Sequence, residues 1–343
     1  MAELFGTYQG QPVFAYQLSN SQACHVRILN LGGIVQEFSL PLADGKRHNL
    51  VVHFDDIAAY YQNPYQVNKQ IGRVAGRIKE ARFDLKGQSY QLEANDGRHL
   101  LHGGSRGLSQ VFFVADQPNP QQLVLKCQLR TVQDGFPGDI DLTITYSLDD
   151  DNQLTIHYQA SAGNRATVFD PTLHIYWALS HHLEGVALQI DSPAILETTS
   201  DKIPTGRKIS VAGNAYDFRQ RKPISLALNE LRQEGRLALD DAYEVTADLS
   251  RPQAYLWDRQ QGYCLEIFSS RNGLIVFTAN PLDQAAADQG IFNALATEPQ
   301  TLPDALHHPE WGDISLAAGE VKEYTMAFKV KQMEEGREDE TNF

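Results

Sequence analysis

QQLVLKCQLRTV (121–132), QDGFPGD (133–139), IDLTITYSL (140–148), DDDN (149–152) and QLTIHYQAS (153–161) follow one another without a break. In ITYSL and LTIHY apolar and polar residues alternate with a period of two, which in a strand gathers the apolar ones on one face. The separators supply the Gly, Asp and Pro that tight turns demand. The stretch is therefore a meander of antiparallel strands, one face buried and the other in water. The same unit recurs outward on both sides: HVRILNL, GG and IVQEFSLPL (25–42), then ARFDL, KGQ and SYQLEANDG (81–97). It returns as YLWDR, QQG and YCLEIFSS (255–270), as LIVFTAN (274–280) and as EYTMAFKV (323–330). Helical periodicity is confined to ISLALNELRQEG (224–235) and, more weakly, DDIAAYYQN (55–63). No Pro/Ser/Gly linker divides the chain. The expectation is all-β: one large antiparallel β-sandwich over 1–333 with few short helices, and a charged, frayed tail, EEGREDETNF, over 334–343.

With 42% hydrophobic residues in 343, the chain has ample material for a packed core, which excludes intrinsic disorder. A formal net charge of −14 without a basic stripe argues against a partner held through phosphates, nucleic acid above all. Cys24, Cys127 and Cys264 stand far apart with no CxxC, the pattern of reduced, buried thiols in a cytoplasmic protein. The opening MAELFGTYQGQPVFAY has neither the basic nor the apolar stretch of a leader. No apolar run nears the ~18 residues of a membrane span. A cytoplasmic location without membrane contact is expected.

Eleven histidines are too many for all to act in chemistry. The pairs His181–His182 and His307–His308 invite a metal, but neighbours on a strand face opposite ways, and zinc ligands stand at wider, regular spacings. No metal and no cofactor are expected. His102 lies in NDGRHLLHGGSRG (95–107), where a Gly-Gly turn lets backbone approach a ligand closely. His174 lies in FDPTLHIYWAL (169–179), a strand rich in aromatics. Either histidine alone is more simply a satisfied core residue. Gly103-Gly104-Ser105-Arg106-Gly107 matches the nucleophile elbow of serine hydrolases. That elbow needs a strand before it and a helix after it in an alternating α/β chain, so within a β meander the match is chance.

Seven segments, in order, resemble the aldose 1-epimerase (galactose mutarotase) family, from about residue 24 to about residue 330. They are IGRVAGRI (71–78), NDGRHLLHGGSRGL (95–108), DGFPGDI (134–140), FDPTLHIYWAL (169–179), KIPTG (202–206), LDDAYEV (239–245) and ATEPQTLPDALHHPEW (296–311). The resemblance implies a galactose mutarotase-like β-sandwich holding a sugar in an open cleft. It nominates Glu298 as general base and His174 as general acid, with Arg77, His102 and Asp240 on the sugar hydroxyls and ring oxygen. It implies a free hexose such as galactose, glucose or a disaccharide reducing end as the partner, bound by a monomer or homodimer. This chain departs from the family pattern at Gly76, His99, Leu173, Ala178 and Ala238, positions that bear on substrate choice more than on catalysis.

Mutarotation asks for a base at the C1 hydroxyl and an acid at the ring oxygen, a task for an ionised carboxylate and an imidazole. Judged without the family, TEPQTLPDA is turn-like and Glu298 a solvated loop carboxylate. Asp240 has the same reading, with Asp241 as a possible exposed partner. Arg73 competes with Arg77 on composition, and Tyr176 or Trp177 could stack on a sugar while at least one packs in the core. Two rivals stand beside a free-hexose epimerase. One is a hexose-6-phosphate 1-epimerase, whose phosphate would need a basic pocket such as RQRK (219–222). The other is a binding module that keeps the cleft without turnover.

Overall fold

The computed structural model describes residues 2–42, 45–180, 183 and 185–333; the tail 334–343 and the pair His181–His182 lie outside them. The alternation in the central meander becomes a ladder. Ile140–Leu148 and Gln153–Ala162 pair antiparallel from Ile140↔Ala162 to Leu148↔Leu154, with the apolar residue of each step turned inward. They lie in a nine-stranded sheet ordered Val114–Asn119, Gln122–Leu129, Ile140–Leu148, Gln153–Ala162, Val321–Gln332, Tyr263–Ser269, Ala254–Asp258, Val186–Ile190 and Lys222–Pro223. The last of the described strands, Val321–Gln332, is thus inserted at the centre of the sheet, where it joins the early strands to the late ones.

A six-stranded sheet runs Ile175–Ala178, Ala294–Gln300, Gly273–Ala279, Asp240–Glu244, Ala194–Thr198 and Pro204–Ser210. An N-terminal meander of five strands spans Glu3–Tyr8 to Arg47–Asn49. The ladders of all three sheets are antiparallel. One core joins the two large sheets, with Trp177, Tyr243, Leu265, Ile267, Leu295 and Phe328 among its members. Each large apolar side chain buried there contributes roughly 1.5–3 kcal/mol. Trp177 is fully buried against Phe38 and Phe328, and its Nε1 donates to Thr297 Oγ1 at 2.9 Å.

Both expected helices are present. Ile224–Gln233 buries Ile224, Ala227, Leu228 and Leu231 on one face. Ile57–Gln62 is capped by Asp56, whose Oδ1 accepts from Ala58 N at 3.1 Å. Thr131–Asp134 is a helical turn rather than the end of a strand, because Asp139 Oδ1 accepts from Thr131 N at 3.0 Å and draws the chain out of the sheet. The three cysteines are unpaired; Cys24 and Cys264 are buried, whereas Cys127 is only half-buried. Among the described residues no helix is long and apolar enough to cross a membrane.

Ala294–Gln300 is buried along its whole length, unlike the alternating strands Ile140–Leu148 and Gln153–Ala162 of the central meander. Leu295 points into the shared core. Ala294 and Ala296 point the other way, into a second cluster, and with a period of two Glu298 follows them. That outer face of the six-stranded sheet is where the site lies.

Candidate active site

The register of the six-stranded sheet assembles the floor of a pocket. Tyr176 pairs with Ala296, Ala296 with Phe277, and Phe277 with Asp240; one step along, Glu298 pairs with Ile275 and Ile275 with Ala242. Segments at 64–66, 76–77, 101–102 and 198–204 wall a cavity of about 280 Å³ above this floor. All five residues nominated from the sequence, Glu298, His174, Arg77, His102 and Asp240, line it.

Glu298 is no loop carboxylate. It sits inside a strand, 4% exposed, with Oε1 3.2 Å from His174 Nε2 and Oε2 4.0 Å from His102 Nδ1. His174 occupies the break between the Thr172–Leu173 and Ile175–Ala178 strands rather than a strand position. Its backbone N donates to Lys69 O at 3.0 Å, and its carbonyl accepts from Asn68 N at 2.9 Å. Its ring stacks on Tyr176, centroids 5.0 Å apart and planes 18° apart, and meets the His102 ring edge-on at 5.2 Å. His102 has a left-handed backbone, φ +55. The following Gly103 is obligatory, because a β-carbon there would stand 1.9 Å from Gly72 O.

Burial drives this cluster toward its neutral forms. It pushes Glu298 up to about 8, with the Asp240 charge adding and Arg77 opposing. It pushes His174 down to about 4, against the pull of its own backbone and of Asp240. Burial likewise holds His102 well below its ordinary value, helped by His174 and Arg77. Between pH values of about 4 and about 8 the Glu298–His174 pair therefore carries one proton. One proton shared by a carboxyl and an imidazole makes a base and an acid at once.

Arg77 reaches the pocket, its Nε 2.7 Å from Asp96 Oδ2. Its rival Arg73 is fully buried and bidentate to Asp134 at 2.7 and 3.0 Å, with further bonds to the carbonyls of Leu129, Pro137 and Gly138. It pins the DGFPGD turn and is structural. Asp241 is the buried member of its pair, bound to Arg236 at 3.1 Å, while half-buried Asp240 faces Lys202 with 2.9 Å between Nζ and Oδ2. Ser105 is exposed between the two-residue strand Leu100–Leu101 and a short turn at Leu108–Gln110, so no elbow of strand and helix surrounds it.

Tyr176 lines the pocket whereas Trp177 packs in the core, the split that strand alternation imposes. Tyr65 and Phe277 escaped the sequence reading. Their rings lie 5.9 Å apart, and Tyr65 is 6.0 Å from Tyr176, so the three form an aromatic wall. Nothing local marks Phe277 in LIVFTAN; only its register opposite Asp240 does. Among the departures, a side chain at Gly76 would stand 3.1 Å from Gln300 Nε2 and 3.2 Å from Pro303. Leu173 is core. His99 is buried, accepting from Glu80 N at 2.9 Å on Nδ1 and lying 2.8 Å from Asp201 Oδ2 through Nε2. His102, His174 and Glu298 each offer an atom within 4.8 Å of the others, making them the group among the described residues that could grip a metal ion.

A family model described as aldose 1-epimerase matches residues 15–329. Maltose epimerase of Levilactobacillus brevis is 40% identical over 330 residues, which cover 94% of this chain and 96% of that protein. Aldose 1-epimerase of Streptococcus thermophilus is 36% identical over 342 residues, covering 95% and 97%. The crystal structure of an aldose epimerase homologue from C. elegans superposes with a TM-score of 0.82 at 26% identity, covering 93% of this chain and 99% of that one.

Proposed function

Since this chain belongs to the aldose 1-epimerase family, isomerases that act on carbohydrates, we propose that it interconverts the α and β anomers of an unphosphorylated aldose. D-galactose and D-glucose are the simplest candidates, and the name of the L. brevis relative adds the reducing end of maltose. The observation that carries this reading is the 3.2 Å contact of Glu298 with His174 on the pocket floor.

In the ionised arrangement Glu298 takes the proton of the C1 hydroxyl. The C1–O5 bond breaks with its electron pair going to O5, which takes a proton from His174, and C1 becomes a carbonyl. After rotation about C1–C2 the ring oxygen attacks the other carbonyl face and both protons return. The pair begins and ends with one proton, so no co-reactant is consumed. Each of the two groups contributes roughly 10²–10⁴-fold. Arg77, His102 and Asp240 surround the pair and hold hydroxyls, and the wall of Tyr65, Tyr176 and Phe277 suits the apolar face of a sugar ring.

A phosphorylated substrate is less well served. The cations lining the pocket, Arg77 and Lys202, already face Asp96 and Asp240. In RQRK, Arg219 pairs with Asp217 and Lys222 with Glu230, and the segment lines a separate depression that shares no residue with the pocket. Polarimetry of freshly dissolved α-D-galactose, α-D-glucose and maltose tests the reading. Faster relaxation to an unchanged final rotation is expected with at least one. Acceleration of glucose 6-phosphate alone would transfer the activity to phosphorylated sugars, and sugar binding without acceleration would make the chain a binding module.

A further inference from the structure

One cation in the pocket has no part in the acid–base account. Lys202 lines the cavity beside Asp240, with Nζ 2.9 Å from its Oδ2 and 3.4 Å from its carbonyl oxygen. Its backbone φ is +63, in the left-handed region where a β-carbon is crowded and a non-glycine residue persists only if its surroundings hold it. They do. Lys202 N donates to Thr199 O at 3.0 Å and Thr199 N to Ile203 O at 2.9 Å, while Ile203 N donates to Thr199 Oγ1 at 3.2 Å. The preceding residue, Asp201, lies 2.8 Å from Nε2 of buried His99, three positions before His102. The turn that presents Lys202 is therefore fastened to the loop that presents His102.

We propose that Lys202 is a substrate-binding residue that reads two adjacent sugar hydroxyls together with Asp240, the carboxylate accepting from one hydroxyl and the ammonium donating to the oxygen of its neighbour. The proposal rests on the epimerase reading of the same pocket. A carboxylate can only accept and an ammonium only donate, whereas a hydroxyl does both. Side by side, the two ions orient the hydrogen bonds of a vicinal diol in one sense. Charge-assisted bonds of this kind are the stronger class. Both side chains are about one-third exposed, 34% and 39%, so the pair adds little to fold stability and remains free to exchange its partner for a sugar.

Lys202→Met tests this, compared with the wild type in mutarotation of D-glucose and its 2-, 3- and 4-deoxy analogues, with thermal melts alongside. The variant should melt with the wild type and raise KM for glucose about 10- to 100-fold, with kcat nearly unchanged. For the one analogue that lacks the hydroxyl Lys202 contacts, the wild-type KM should already be raised and the substitution should add little. An unchanged KM for glucose, or an equal rise for all four sugars, would overturn the proposal while leaving the epimerase reading intact. No acceleration of any sugar by the wild type would overturn both.

Discussion

Replacing Glu298 by Gln should slow mutarotation and, at alkaline pH, make the protein more stable. The amide keeps the size of the side chain and an oxygen within reach of His174, but it cannot take a proton. Loss of a general base lowers kcat by roughly 10²–10⁴-fold. The gain in stability follows from burial, which lifts the carboxyl from its ordinary 4.5 to about 8. That is more than three orders of magnitude in proton affinity, so ionisation disfavours the folded chain by at most ~5 kcal/mol relative to the unfolded one. Between those two pH values the native protein binds the extra proton, and wild-type stability falls as pH rises through the window. A glutamine has no proton to lose. The variant should therefore unfold like the wild type near pH 4 and exceed it by about 3–5 kcal/mol at pH 9. Urea unfolding at a series of pH values, with polarimetry on the same preparations, reads both effects. Parallel pH dependence of the two proteins would refute the burial argument, and full kcat in the variant would refute the role of Glu298 as base.

The remaining expectations concern the same pocket and its scaffold. The profile of kcat/KM against pH should be a bell with limbs near about 4 and about 8, because the pair holds two protons below and none above; a flat profile would remove the one-proton pair from the mechanism. Arg73→Met should cost about 3–5 kcal/mol by leaving Asp134 buried without its partner. Arg77→Met should leave the melting temperature nearly unchanged while raising KM about tenfold or more; melts and initial rates on both variants would expose a reversal of these roles. Dialysis against EDTA should leave kcat unaltered, since proton exchange of the sugar with Glu298 and His174 needs no ion; loss of activity restored by a divalent metal would assign the His102–His174–Glu298 cluster to metal binding.

The sequence by itself determined what depends on neighbours along the chain. Period-two alternation in 140–161 marks strands because a strand turns successive side chains to opposite faces, and the Gly, Asp and Pro between them mark turns. The helix at 224–233 was legible for the same reason, through its spacing of apolar residues at three and four. The five nominated residues that line the pocket were singled out only through the family resemblance, since no local signal separates Glu298 from a solvated loop carboxylate or Arg77 from Arg73. Tertiary structure decided the rest. The pairing of Ala294–Gln300 with Gly273–Ala279 and Ile175–Ala178 buries Glu298 on the face opposite the core, and that burial sets its proton affinity. The pairing of Asp240 with Phe277 makes a strand phenylalanine a pocket wall, and the break before Ile175 turns His174 toward Glu298. Lys202 enters the site only because a turn held by Thr199 and clasped by His99 carries it over Asp240. Each of these depends on which distant strands lie side by side, and alternation of apolar residues specifies which face is buried without specifying the partner it is buried against.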